Sequence, residues 1–293
     1  MTGTDTATAT GRPTLVRTRA ELQSARERLA GPVAVVMTMG ALHEGHATLV
    51  REARTRAQSV IVTIFLNPLQ FGAGEDLAKY PRTIDRDLEL LGHEGVDLVF
   101  APAPGAVYPD GDPGVLVSAG RLGAVLEGAS RAGHFDGVLT VVAKLLHLTR
   151  PDLAYFGQKD AQQLLLIQRM ARDLDFPTEV VAVPTVREPD GLAMSSRNTY
   201  LTDFDREVAL TLVRSLEAGA AAAGEGASAV RRAARDVLVS EPLCRVDYLA
   251  LVHPKSLDDV PEWYSGDALL ALAARVGSTR LIDNVPLVLG AVR

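Results

Sequence analysis

The sequence predicts an α/β protein, a parallel sheet with helices on both faces followed by a smaller α+β domain. Three observations predict it. First, from about residue 33 to 186, short apolar runs rich in β-branched residues alternate with segments of helical spacing. Such runs read as strands covered on both faces, and the alternation reads as crossover connections between parallel strands. Second, the chain changes character after Pro184, turning polar and then alanine-rich. Third, 293 residues with 47% apolar and 23% charged content make enough chain for about two domains of ordinary globular composition.

In chain order, residues 1–12, rich in Thr, Ala and Gly, read as a frayed tail. Val33–Met39 is a strand. Leu42–Ala57 has helical spacing, with Leu49 and Ala53 on one face, and Ser59–Leu66 is a second apolar strand. A polar, glycine-bearing loop follows, then a charged helix near 83–93 and a short strand, Asp97–Pro102. Phe135–Leu148 and Ala161–Leu174 read as helices, Leu153–Phe156 and Glu179–Val186 as strands. These place a first domain at 13–186. In a second domain, 187–293, two alanine-rich helices flank residues 218–227, whose glycines make a turn. The runs VDYLALV, ALLALAA and TRLIDNV are strand-like.

Thirty basic against thirty-six acidic residues give a net charge of -6. Nucleic acid and anionic membranes would repel such a surface, so neither is expected as a partner. A single cysteine, Cys244, cannot form an intrachain disulfide and reads as a small buried apolar side chain. No secretory signal pattern and no run of 18 apolar residues is seen, so a cytoplasmic protein is expected.

The segment Met37–His46 (MTMGALHEGH) lies where a strand ends and a helix begins. In open α/β sheets ligands bind beyond the carboxyl ends of strands. Gly40 permits a sharp turn, and the helix N-terminus offers unpaired N–H groups to a phosphate. His43 and His46, three apart, project to one side and suit donation to phosphate oxygens or proton transfer. An ordinary pair of satisfied histidines fits the same spacing, and the pair alone does not separate the two. The zinc-protease pattern is absent because position 47 is Ala, and Gly40 and Gly45 do not make a dinucleotide fingerprint. Gly157–Asp160 (GQKD) repeats the strand-end arrangement; Lys159 brings a point charge, and Asp160 reads equally as a helix cap. Met194–Arg197 (MSSR) offers two hydroxyls and a guanidinium as a phosphate clamp. Asn67 and Gln70 supply neutral amides after the second strand, whereas Tyr80, Arg82, Asp85 and Asp87 read as a solvated charged helix. Three polar clusters, each beside a strand end, fit ATP better than any one does.

These motifs carry a resemblance. TMGALHEGH (38–46), TIFLNPLQF (63–71), YPRT (80–83), GHFDGVLTVVAKL (133–145), YFGQKDAQQL (155–164), VPTVRE (183–188) and DGLAMSSRNTYL (190–201) occur in order. From about residue 14 to 290 the chain resembles the pantoate–β-alanine ligase family, within the HxGH nucleotidylyl-transferase superfamily and its Rossmann-like sheet. The resemblance implies MgATP-driven condensation of pantoate with β-alanine through a pantoyl adenylate, in a homodimer. It implies ATP contacts from Met39, Gly40, Ala41, Leu42, His43, Glu44, Gly45 and His46. Further ATP contacts follow from Gly157, Gln158, Lys159, Asp160, Val186, Met194, Ser195, Ser196 and Arg197. His46 is implied as proton donor, with His43 and Lys159 beside it in catalysis. Gln70 and Gln163, with Asn67, are implied as pantoate contacts, Gln70 also facing β-alanine, and Asp87 as an outer contact. Magnesium is expected on the nucleotide phosphates. The family pattern has proline where Met37 stands and glutamate where Gln158 stands. A different adenylyl transferase, with extra cations for an acceptor phosphate, and a non-catalytic nucleotide sensor are the competing readings.

Overall fold

The computed structural model describes residues 11–72, 77 and 80–290. Residues 1–10 of the expected tail, and 73–76, 78 and 79 of the loop after the second apolar strand, lie outside the described residues. The chain forms two compact units. The first comprises the chain to Ser118, Asp136–Phe156 and Ile167–Val183; the second comprises Ala119–Phe135, Gly157–Leu166 and the chain from Pro184.

The elements run β1 (Thr14–Val16), α1 (Arg19–Arg26), β2 (Val33–Thr38), α2 (Glu44–Arg56), β3 (Ser59–Ile64), α3 (Ile84–His93), β4 (Leu98–Phe100) and α4 (Pro104–Val107). They continue through α5 (Glu127–Ser130), α6 (His134–Thr149), β5 (Leu153–Gly157), α7 (Ala161–Asp173) and β6 (Glu179–Val183). The chain ends with α8 (Asp203–Ala221), α9 (Ala227–Val239), β7 (Arg245–Val252), β8 (Gly266–Val276) and β9 (Thr279–Leu289).

The six strands of the first unit lie in the order β1-β4-β3-β2-β5-β6. The pairings of β2 with β3 and β5, and of β4 with β1 and β3, are parallel. Val33–Val36 and Val60–Val62 are wholly buried, as continuous apolar strands in a doubly covered sheet should be. The chain steps from β2 to β3 on one side, and β5 lies on the other. The carboxyl end of β2 therefore stands at the reversal of strand order, the place where such sheets open a crevice for a ligand. The strand at Thr14–Val16 and the helix after it were not read from sequence. β1 is three residues at the sheet edge, yet α1 carries a legible signal: the side chain of Thr18 caps Glu21 N–H, and Glu21 reaches back to the Thr18 N–H.

In the second unit β7, β8 and β9 form an antiparallel sheet in that order. Successive residues leave a strand on opposite faces, and each face is covered. Leu270 and Leu272 pack with Leu212, Leu216 and Val230 of α8 and α9. Leu269 and Ala271 pack with Leu122, Val125, Ala161 and Leu165. That second layer explains why two short excursions cluster with the C-terminal chain. The expected turn is shorter than 218–227: α8 runs on to Ala221 with Gly219 inside it, and the chain turns before α9 at Gly226, whose φ of 91° favours glycine. Cys244 is buried. No helix among the described residues is long and apolar enough to cross a membrane.

Candidate active site

After β2 the chain turns through Gly40 and Ala41, both at positive φ (89° and 52°). A Cβ on Gly40 would lie 3.2 Å from Asp87 Oδ2 and 3.3 Å from Ile64 Cγ2, so the turn needs glycine on both counts. The left-handed Ala41 costs about 1–2 kcal/mol, and a buried carboxylate holds it there. Asp87, 1% exposed, accepts from Ala41 N–H at 3.1 Å, Leu42 N–H at 2.9 Å and Thr83 Oγ1 at 3.0 Å. The solvated charged helix expected at 80–87 is therefore corrected at this position: Asp85 and Arg86 face solvent, while Asp87 anchors the turn. Its bonds are all to the protein's own turn and cap.

Helix α2 begins with an unusual cap. His43 stands at the N-cap, where Ser, Thr, Asp or Asn is preferred. Its Nδ1 accepts from Gly45 N–H at 3.2 Å, and His46 Nδ1 accepts from His43 N–H at 3.3 Å. A ring that accepts at Nδ1 carries its proton on Nε2 when neutral. The bond pattern thus assigns both rings the tautomer that donates from Nε2. The rings lie 4.1 Å apart, centroid to centroid, on the same side of the helix start as their spacing implies.

The turn at Pro68–Gln70 orients a second group. Asn67, 1% exposed, donates from Nδ2 to Gln70 Oε1 (3.1 Å) and the Gly137 carbonyl (3.2 Å). Its Oδ1 accepts from Tyr108 Oη at 2.9 Å and Leu69 N–H at 3.3 Å. Burial pushes the Tyr108 phenol well above its ordinary range, with Asp112 adding to the shift, so this donor stays protonated. Both hydrogens and both lone pairs of the Asn67 amide are thus engaged. The Gln70 amide is turned so that Nε2 faces Met39 Sδ at 3.0 Å, which brings the Met39 and Gln70 motifs together within the first unit. A Cβ on Gly137 would meet the Leu69 carbonyl oxygen at 2.2 Å; this glycine inside α6 admits the turn.

In the second unit Gln158–Asp160 form one tight turn before α7. Lys159 Nζ lies 3.9 Å from Asp160 Oδ2, its side chain 20% exposed. Of the two adjacent glutamines on α7, Gln162 is used up: it accepts from Glu127 N–H and donates to the carbonyls of Leu122 and Val125. Gln163 beside it is half-buried. Val186 accepts from Met194 N–H at 2.9 Å. Ser195 caps the turn Ser196–Tyr200, its Oγ accepting from Arg197 N–H. Glu188 and Asp190 both bind the guanidinium of Arg206, and Asn198 donates to Glu188 and to the Ala193 carbonyl, so the 187–198 loop is tied to α8. Arg187 forms an ion pair with Asp283 at 2.7 Å, and Asn284 donates to the carbonyls of Gln158 (3.0 Å) and Lys159 (2.8 Å).

Sequence reasoning missed Tyr108, Gly137 and Asn284, and it had Asp87 only as an outer contact implied by the resemblance. A glycine inside a helical pattern is a signal for close packing and was available for Gly137. The other three act through long-range contacts that no local pattern announces.

The family model for pantoate-β-alanine ligase matches residues 14–286. The chain is 55% identical to the pantothenate synthetase of Thermobifida fusca, covering 97% of this chain and 99% of that protein. To that of Streptomyces coelicolor it is 53% identical, covering 95% and 96%. The crystal structure of the Thermus thermophilus enzyme matches with a TM-score of 0.88 at 50% identity, covering 93% of this chain and 98% of that one. The Francisella tularensis ligase, complexed with β-γ ATP and β-alanine, matches with a TM-score of 0.78 at 32% identity, covering 93% and 97%.

Proposed function

The chain belongs to the pantoate–β-alanine ligase family, and from that premise we propose how its residues carry the reaction. It is an ATP-dependent ligase that joins pantoate to β-alanine. The route runs through a pantoyl adenylate, because a carboxylate resists an amine until its oxygen becomes a leaving group. A pantoate carboxylate oxygen attacks the α-phosphorus of ATP and pyrophosphate departs. The β-alanine amine then attacks the acyl carbon, the nitrogen loses a proton, and AMP departs.

The observation that carries this reading is the doubly committed Nδ1 pair at the start of α2. It makes His43 and His46 donors from Nε2 at the carboxyl end of β2, with the helix N-terminus adding positive potential for a polyphosphate. His46 is the proton donor, and His43 and Lys159 stabilise phosphate charge. Met39–His46 in the first unit, and Gly157–Asp160, Val186 and Met194–Arg197 in the second, are assigned to ATP. Gln70 and Gln163 are assigned to pantoate: neutral amides orient a hydroxyl and a carboxylate without adding the cations that a phosphorylated acceptor would need.

Magnesium, a homodimer and a cytoplasmic location belong to the same reading. Among the described residues no group of three or more His, Cys, Asp or Glu side chains is placed to hold a metal. Magnesium would come bound to the nucleotide phosphates, where it would offset charge on the departing pyrophosphate.

A rapid-quench experiment without β-alanine tests the scheme. ATP and pantoate should give a burst of about one pyrophosphate per site, with AMP appearing only on addition of β-alanine. His46→Ala should slow the burst about 10²–10³-fold. A burst that waits for β-alanine would overturn the two-step route.

A further inference from the structure

Strand β9 carries two adjacent buried polar residues, Asp283 (3% exposed) and Asn284 (6%), in a sheet whose core is mostly Leu, Val and Ala. Asp283 pairs with Leu272 of β8 and Asn284 with Ala271. Those two partners lie in the opposite apolar layers of the sheet. Neighbouring residues of one strand therefore serve opposite faces.

On one face, the Asp283 carboxylate accepts from both terminal nitrogens of Arg187, at 2.7 and 3.1 Å. Arg187 also donates to the Gly191 carbonyl, which fixes the start of the loop leading to Met194–Arg197. On the other face, both hydrogens of the Asn284 amide go to consecutive carbonyls, those of Gln158 and Lys159. The Asn284 backbone N–H bonds Asp283 Oδ1 at 2.7 Å, joining the two anchors. A buried amide spent entirely on two successive carbonyls fixes the direction of the peptide between them, and with it the exit of the Lys159 side chain.

We propose that Asn284 is the positioning residue for Lys159, with Asp283 performing the matching service for the loop that carries Met194–Arg197. The proposal rests on the assignment of Lys159 to the nucleotide. Asn284 touches no substrate; it acts through the backbone of the turn at 158–160. Its removal should thus be felt in ATP use and not in pantoate use.

The test is a double-mutant cycle in the full-length enzyme, reading pyrophosphate release for Asn284→Ala, Lys159→Ala and the double variant, each with its melting curve. Asn284→Ala should lower kcat/KM for ATP about 10- to 100-fold, the scale of a misplacement near 1 Å, and leave the pantoate KM within about twofold. The double variant should lose no more than Lys159→Ala alone, because residues that act as one unit are not additive. Losses that multiply, or a folded Asn284→Ala with unchanged ATP kinetics, would overturn the positioning role while leaving the nucleotide assignment standing. A Lys159→Ala enzyme with unchanged ATP kinetics would overturn that assignment, and this proposal with it. Should Asn284→Ala fail to fold, Asn284→Ser, which stays neutral and keeps one O–H donor but loses the grip on two carbonyls, is read the same way.

Discussion

Replacing Asp87 by alanine removes the carboxylate to which two N–H groups donate, those of half-buried Ala41 and buried Leu42. Hydrogen bonds to a charged group contribute about 1.5–3 kcal/mol each, so the two together are worth about 3–6 kcal/mol. Part returns when Ala41 leaves its left-handed conformation (φ 52°), which relieves about 1–2 kcal/mol. A net loss of about 3 kcal/mol follows. For a unit of this size that lowers the melting temperature by roughly 6–12 °C. The functional loss should be of similar size, because the released turn leads directly into the His43 cap: adenylate formation should fall about 100-fold, the equivalent of about 2.7 kcal/mol. Asp87→Asn, which keeps one acceptor oxygen, should fall between. Differential scanning calorimetry with and without ATP, beside a pyrophosphate-release assay, reads both effects. An Asp87→Ala enzyme that melts within about 1 °C of the parent and turns over normally would refute the anchoring argument.

Asn67→Ala removes the bond that orients the Gln70 amide; the pantoate KM should rise about tenfold, the equivalent of about 1.4 kcal/mol, and an unchanged value in a folded variant would deny Asn67 that role. Burial pushes the Asp190 carboxyl up, but the Leu192 N–H and the Arg206 guanidinium outweigh it, and the net value lies below the ordinary 3.8. The folded state then binds this proton less readily than the unfolded state. Its stabilisation is complete above about pH 4 and is lost as pH falls through the lower folded value. Asp190→Asn should flatten the decline of melting temperature below pH 4, and a slope equal to the parent's would count against the pairing. Burial pushes the Cys244 thiol up to about 11, with Glu241 adding to it. The native protein at pH 8 should resist thiol reagents until urea unfolds the second unit, and stoichiometric labelling before that transition would contradict the buried placement.

The sheet was legible because its central strands are doubly buried and had to be continuous apolar runs, as Val33–Val36 and Val60–Val62 are. The strand-to-helix junction after β2 was legible too: Gly40 turns there at positive φ, and His43 and His46 lie on one side of the helix start, as their spacing predicts. Element ends were less so. The helix read from Leu42 starts at Glu44, because Leu42 gives its N–H to Asp87 and His43 is the cap. The strand read to Val186 stops at Val183, where the chain passes to the second unit. Asp87 was misread because a buried carboxylate on a charged helix differs from its solvated neighbours Asp85 and Glu89 only in what lies across from it. Asn284 sat in plain view in TRLIDNV, a strand-like run whose polar pair has meaning only when both faces of the sheet are known.

The anchoring of Lys159 by Asn284 spans 125 residues, and that separation acts in time as well as in space. A ribosome moving at roughly 5–20 residues per second delivers Asn284 about 6–25 s after Lys159. Through that interval a nascent chain holds the turn at 158–160 without its anchor, while the first parallel strands already have their neighbours. On the proposed assignment of Lys159 to the nucleotide, full ATP use then arrives only as β9 is made, and a chain clipped before β9 should lose at least what Asn284→Ala loses.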